Sequence, residues 1–273
     1  MMISDISTTP KKIPSGIDSL DTVIDGGFPA GSMVLLLGEL GAGDTEFMYT
    51  SAARLLSNGS ATPERICYIS FTKSREDVLT ELALSLPEYH ETLRNRMEFK
   101  DFSGAYFARS SVPLSWTTKK EISLNSLKWN GDANLIEALI RYLDENADDS
   151  IVIIDSLTAL AQYCLENLKW RDLVMFLRGL QRISKRWNGI VYAILGDGII
   201  ERNKQEELAE CADGVIVFEW GKLGTTRRQR FMHVKKFRGV LPLLDQDSIV
   251  NFETQIGIQK GFEVSNVKRV CGG

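Results

Sequence analysis

The residues with the clearest chemical potential lie in the run Met33-Val-Leu-Leu-Leu-Gly38-Glu-Leu-Gly41-Ala-Gly43-Asp44-Thr45. An apolar stretch, a glycine-rich turn and a helix start follow at the spacing G-x-x-x-x-G-K-[ST], a loop that cradles phosphates. Glycines at 38, 41 and 43 let backbone N–H groups point inward, forming an anion nest at a helix N-terminus. Thr45 offers a hydroxyl that can reach magnesium, and Glu46 places a carboxylate where it suits the helix dipole. Asp44 breaks the pattern, because a carboxylate stands where a lysine should meet the β- and γ-phosphates. Two unit charges at ~4 Å interact by about 4 kcal/mol at an effective dielectric near 20. Replacing attraction by repulsion therefore weakens triphosphate binding substantially. ATP or ADP can still be held through base, ribose and magnesium, or the loop holds no nucleotide.

A second motif is Ile151-Val-Ile-Ile-Asp155-Ser156-Leu-Thr158. Apolar β-branched residues ending in Asp describe a buried strand whose terminal carboxylate faces a site, as a magnesium-orienting aspartate does. With Thr45, Asp155 is the expected metal ligand if nucleotide binds, with Ser156 beside it.

These residues need a scaffold. Apolar runs at Met33–Leu37, Ile66–Phe71, Ile151–Ile154, Ile190–Leu195 and Gly214–Phe218 end in or beside Gly, Asp, Ser or Thr, as fully buried strands do. Amphipathic segments near 44–57, 74–86, 132–146, 170–187 and 204–211 predict helices between them. This alternation predicts an α/β fold, a mostly parallel twisted sheet flanked by helices. Beyond Phe218, Gly221–Thr226 reads as a turn, followed by strands at Gln229–Lys236 and Ser248–Phe252, so a β-rich C-terminal portion is expected. Residues 1–12 read as a flexible tail. Residues 103–131, with Tyr106, Phe107, Trp116 and Trp129, read as an irregular insertion or loop within a single domain spanning 1–273.

Composition narrows the classes. The chain has 273 residues, 44% of them hydrophobic, which is enough for a full core, and its net charge of −4 gives no global push toward nucleic acid or anionic membrane. Cys67, Cys164, Cys211 and Cys271 are far apart, and His90 and His233 are the only histidines, so no metal-ligand spacing arises. Scattered cysteines and the absence of any run long enough to span a bilayer predict a cytoplasmic protein without membrane insertion.

Further segments resemble a known family. Ile13-Pro-Ser-Gly-Ile-Asp18-Ser-Leu20-Asp21 and Gly26-Gly27-Phe-Pro29-Ala-Gly31-Ser are similar to the segment that precedes the phosphate loop in KaiC, RadA and related RecA-superfamily ATPases. The resemblance continues through Cys67–Phe71, Ile153–Leu160, Ala212-Asp213-Gly214-Val-Ile and Val234-Lys-Lys236-Phe-Arg238-Gly239, and so covers most of the chain. It is nearest to archaeal KaiC-like proteins, including the halobacterial-transducer-like group. The resemblance implies a RecA-like P-loop fold, and it implies that Lys236 and Arg238 reach phosphate across a subunit interface in a ring or filament. It also implies a pair of glutamates after Phe71 to activate water. Thr72-Lys73 stand there instead, and neither is a carboxylate base.

Asp44 and Lys73 look like reciprocal replacements. Either they form an ion pair that closes the phosphate site, or the Lys73 ammonium substitutes for the missing lysine. Three functions follow. The first is a regulatory or assembly pseudo-ATPase, partnered by itself or another protein. The second is an active ATPase in which Glu39 or Glu46 supplies the carboxylate. The third is a recombinase-like module that binds nucleic acid through Arg227, Arg228, Arg230, Lys235, Lys236 and Arg238, or through the 103–131 loop with Arg109, Lys119 and Lys120.

Overall fold

The protein is described here by a computed structural model covering residues 11–57, 63–117, 134–223, 227–246 and 249–269. Residues 1–10 of the expected tail lie outside these, as do the 103–131 stretch beyond Thr117 with Lys119, Lys120 and Trp129, and Thr226, Ser248 and Cys271.

Strands β1 (Lys12–Ile13) and β2 (Phe28–Pro29) form a small antiparallel pair. The remaining strands are β3 (Met33–Gly38), β4 (Arg65–Ser70), β5 (Met97–Asp101), β6 (Ser150–Asp155), β7 (Ile190–Gly196), β8 (Gly214–Leu223), β9 (Arg227–Phe237), β10 (Ile249–Gly257) and β11 (Gly261–Arg269). They form one sheet in the order β11-β10-β9-β8-β3-β7-β6-β4-β5. Every neighbouring pair from β8 to β5 is parallel, and β8 to β11 run as antiparallel hairpins.

The helices are α1 (Asp18–Val23), α2 (Asp44–Ser57), α3 (Arg75–Ser85), α4 (His90–Arg96), α5 (Ser103–Phe107), α6 (Leu114–Thr117), α7 (Leu135–Asn146), α8 (Leu157–Asn167), α9 (Trp170–Ile183), α10 (Arg202–Cys211) and α11 (Leu241–Gln246). Side chains alternate across a strand, so each apolar run feeds two cores. Met33, Leu35 and Leu37 of β3 join Leu139, Leu160, Leu177 and Leu208 of α7 to α10 on one face. Val34 and Leu36 join Phe47 and Ala52 of α2 and Val78 of α3 on the other. Burial on both faces is why these strands lack a polar alternation.

Some elements escaped the sequence reading. Residues 157–167 form α8, capped where the Ser156 hydroxyl accepts from the Ala159 N–H at 3.2 Å. The described part of 103–131 holds two short helices, α5 and α6, rather than an unbroken irregular loop. β5 was missed because Met97-Glu-Phe-Lys-Asp101 lies at the sheet edge, where its polar residues stay partly exposed.

Candidate phosphate-loop site

The phosphate loop leaves the carboxyl end of β3 and turns into α2. Gly41 and Gly43 take positive φ values of 74° and 110°, which only glycine adopts without strain. The β8–β9 hairpin holds the outside of this turn. Trp220 donates its backbone N–H to the Glu39 carboxylate at 3.0 Å and its indole N–H to the Leu40 carbonyl at 3.2 Å. Arg230 donates to the Gly41 carbonyl at 3.0 Å while its guanidinium lies over the Trp220 ring. Glu39 is therefore engaged in shaping the loop.

On the inner side, the Asp44 carboxylate folds back against Gly38, where a methyl group would collide with it. It accepts hydrogen bonds from its own N–H and that of Thr45, two donors of the nest. Burial raises its pKa to about 6, with Glu46 and Asp155 adding repulsion and the two N–H groups opposing the rise. An acidic side chain thus takes up donors that a phosphate would use.

Asp155 ends β6, buried, and its peptide bond to Ser156 is cis. Tyr68 of β4 donates to its carboxylate at 2.5 Å, the length of a charge-assisted O–H···O⁻ bond. The Lys73 ammonium lies 3.4 Å from the same oxygen and 2.9 Å from Glu81 of α3. The ring closes through Tyr49 of α2, whose hydroxyl is 3.1 Å from that of Tyr68 and 3.4 Å from Glu81. Burial works against the Lys73 charge, but the Asp155 and Glu81 carboxylates outweigh it and hold its pKa above the ordinary lysine value. Burial and the Asp155 charge push the Tyr68 hydroxyl upward, which keeps it a donor.

The reciprocal Asp44–Lys73 pair is therefore not formed. The turn after β4 is tightened by the Lys73 N–H donating to Ser70 Oγ at 2.9 Å, and the ammonium is taken by Asp155 and Glu81. Lysine and aspartate are complementary in charge, but the backbone delivers Lys73 to the β6 carboxylate.

The residues expected to hold magnesium and triphosphate fit that group poorly in this arrangement. The nest has a carboxylate in it, and the Asp155 carboxylate already has a hydroxyl donor and a cation. Thr45 and Glu46 sit half-buried on the first turn of α2 beside them. Among the described residues, no group of three or more His, Cys, Asp or Glu side chains is placed to hold a metal ion.

Other expected residues have local work. Lys236 of β9 donates to the carbonyls of Ala209 and Glu210 at 3.3 and 2.8 Å, satisfying the C-terminus of α10. Arg238 is exposed. In the basic hairpin, Lys235 pairs with Glu206 at 2.6 Å, and Arg228 lies over Trp220 like Arg230. Asp21 accepts from the N–H groups of Ser15 and Gly16 at 2.6 and 3.1 Å, folding the segment before the loop. Asp213 accepts from the Met33 N–H at 2.9 Å and so anchors the start of β3. Cys67, Cys164 and Cys211 are free and buried.

The sequence reading missed Tyr49, Tyr68 and Glu81. A signal existed for the first two. Tyr49 lies one helical turn after Thr45, and a tyrosine inside a fully buried strand, as at 68, needs a partner for its hydroxyl.

Comparisons with known proteins agree with this fold. Among solved structures, a KaiC-like protein from the hyperthermophilic archaeon Pyrococcus horikoshii OT3 is similar with a TM-score of 0.63 and 19% identity, over 94% of this chain and 100% of that one. The flagellar accessory protein FlaH from Methanocaldococcus jannaschii is similar with a TM-score of 0.64 and 16% identity, over the same 94% and 100%. At these identities the likeness shows the fold. A search of curated proteins finds no match. The family model for the KaiC ATPase matches residues 13–245, from the segment pinned by Asp21 to beyond the strand of Lys236. The chain belongs to the KaiC ATPase family.

Proposed function

We propose that this chain is a pseudo-ATPase of the KaiC family, a module that keeps the ATPase scaffold for regulation or assembly and does not hydrolyse ATP. One observation carries the reading: a carboxylate, Asp44, sits in the phosphate nest while an ammonium, Lys73, sits on Asp155. The pair resembles the charge pattern that a phosphate and a magnesium ion would bring, supplied by side chains. A triphosphate entering the loop would have to displace Asp44, and a metal would have to compete with Lys73. Lys73 also stands where a carboxylate base would be needed, and a cation cannot accept the proton of an attacking water.

Self-association into a ring or filament fits this role, with exposed Arg238 free to meet a neighbouring copy. Lys236 contributes less to such a contact, since the end of α10 occupies it.

The test is ligand-dependent melting. Tight binding to the native state raises Tm by mass action. ATP, ADP and magnesium together should leave Tm unchanged, and no turnover should be measurable. Turnover that Asp155→Ala abolishes would overturn the proposal. If Lys73 instead substitutes for the loop lysine, Lys73→Ala should remove binding of an ATP analogue that the natural chain shows.

A further inference from the structure

Helices α5 and α8 leave the carboxyl ends of β5 and β6, the side of an open α/β sheet on which ligands bind. Between the end of α5 and the second half of α8 lies a cavity of about 300 Å³ that shares no residue with the phosphate-loop site. Its walls are aromatic. The Tyr106 ring meets Phe107 edge-on at 4.9 Å and lies 6.0 Å from Tyr163. Its charged groups are of both signs, Arg109 just after α5 and Glu166 on α8.

The two charges do not neutralise each other. Arg109 and Glu166 line one cavity, yet among the described residues neither makes an ion pair or a hydrogen bond. Each stands near a tyrosine hydroxyl instead. Tyr163 is only 8% exposed, and its hydroxyl has no hydrogen-bond partner among the described residues. Burial pushes that hydroxyl's pKa up and the Arg109 charge opposes the rise, so a guanidinium and a phenol donor share one pole of the cavity. At the other pole, burial and the Glu166 charge together raise the Tyr106 hydroxyl. A carboxylate beside aromatic rings is a setting that holds an ammonium.

We propose that this cavity binds a small zwitterion, a free α-amino acid with an apolar or aromatic side chain. Its carboxylate takes Arg109 and the Tyr163 hydroxyl, its ammonium takes Glu166, and its side chain lies against Phe107 and the Tyr106 ring. The volume is at the lower end of the range for ligand sites and suits a free small molecule. A simple anion, phosphate included, meets repulsion from Glu166, and a simple cation meets repulsion from Arg109. Because no residue is shared with the phosphate loop, the test stands apart from that of the pseudo-ATPase reading.

The probes are L-phenylalanine, L-leucine and L-methionine, titrated against the full chain by saturation-transfer NMR. At least one should bind with a Kd tighter than about 1 mM. The matching carboxylic acid without the ammonium, and the matching amine without the carboxylate, should each bind at least about tenfold more weakly, the size of a lost hydrogen bond to a charged group. Arg109→Gln should weaken the amino acid at least about tenfold while leaving the amine no worse, and Glu166→Gln should do the same while leaving the acid no worse. Both side chains are exposed, so melting curves should stay near the natural chain's and identify any variant that fails to fold. The proposal is overturned if none of the three binds that tightly, or if the acid or the amine alone binds as well as the amino acid. A folded variant of either residue that loses less than about tenfold overturns it too.

Discussion

The Lys73 ammonium stands 3.4 Å from the Asp155 carboxylate, at the end of the strand that follows the motif of a magnesium-orienting aspartate. The contact joins the turn after β4 to the end of β6, strands that already pair with Ser70 opposite Asp155. Glu81, Tyr49 and Tyr68 complete a ring of side chains from α2, α3 and β4 around it.

Lys73→Ala should destabilise the fold by about 1–3 kcal/mol in urea unfolding, because a buried carboxylate loses its cation. Tyr68→Phe should cost a similar amount. The double variant should cost less than the two together, with a coupling on the order of 1 kcal/mol, since both act on one oxygen of Asp155. Strict additivity would show that the ring is not one network.

Asp44→Asn keeps an acceptor oxygen for the nest N–H groups and removes the charge. The folded-state pKa of Asp44 is raised from 3.8 to about 6. The folded form therefore holds a proton more tightly than the unfolded one, and ionising Asp44 costs stability as pH rises from about 4 through 6. Above pH 6 the penalty is complete, with an upper bound near ~3 kcal/mol. The variant should melt higher than the natural chain at pH 8, and the gap should close as pH falls to 4. A gap independent of pH would rule out ionisation of Asp44 as its cause.

Asp44→Lys should raise affinity for a non-hydrolysable ATP analogue at least about tenfold by calorimetry, as repulsion at the nest becomes attraction. ATP turnover should remain absent, because Thr72 and Lys73 still supply no base. Turnover from this single change would mean that another carboxylate, Glu46 above all, can serve.

Arg230→Ala should speed amide exchange across residues 39–43 with less than about 1 kcal/mol lost in global stability. The bond to the Gly41 carbonyl is exposed, and exposed bonds hold loops more than they hold folds. Unchanged exchange would assign the loop's shape to its glycines alone.

Much of the fold was legible. Runs such as Met33–Leu37 and Ile151–Ile154 are apolar on both faces, and only a strand covered by two helical layers uses such a run, so the parallel sheet followed. α8 was not legible as a separate element, because it starts two residues after β6 and Leu157–Leu160 extends the strand's apolar character. In the site, Asp44 and Thr72-Lys73 stood out against a spacing rule. Asp21, Asp213 and Lys236 were visible as motif residues, but their work on backbone groups was not.

By itself the sequence determined the loop's glycines, the missing lysine, the missing carboxylate after β4 and the family to which they belong. These are local facts of residue type and spacing. Tertiary structure alone decided who pairs with whom. Asp44 and Lys73 are opposite in charge and both lie near the carboxyl ends of strands, so charge alone made them partners. A side chain of aspartate length reaches the N–H groups at its own helix start before it reaches a neighbouring strand. The longer lysine, turned by the Ser70 contact, meets Asp155 and Glu81, and so the exchange of two charges became two separate closures.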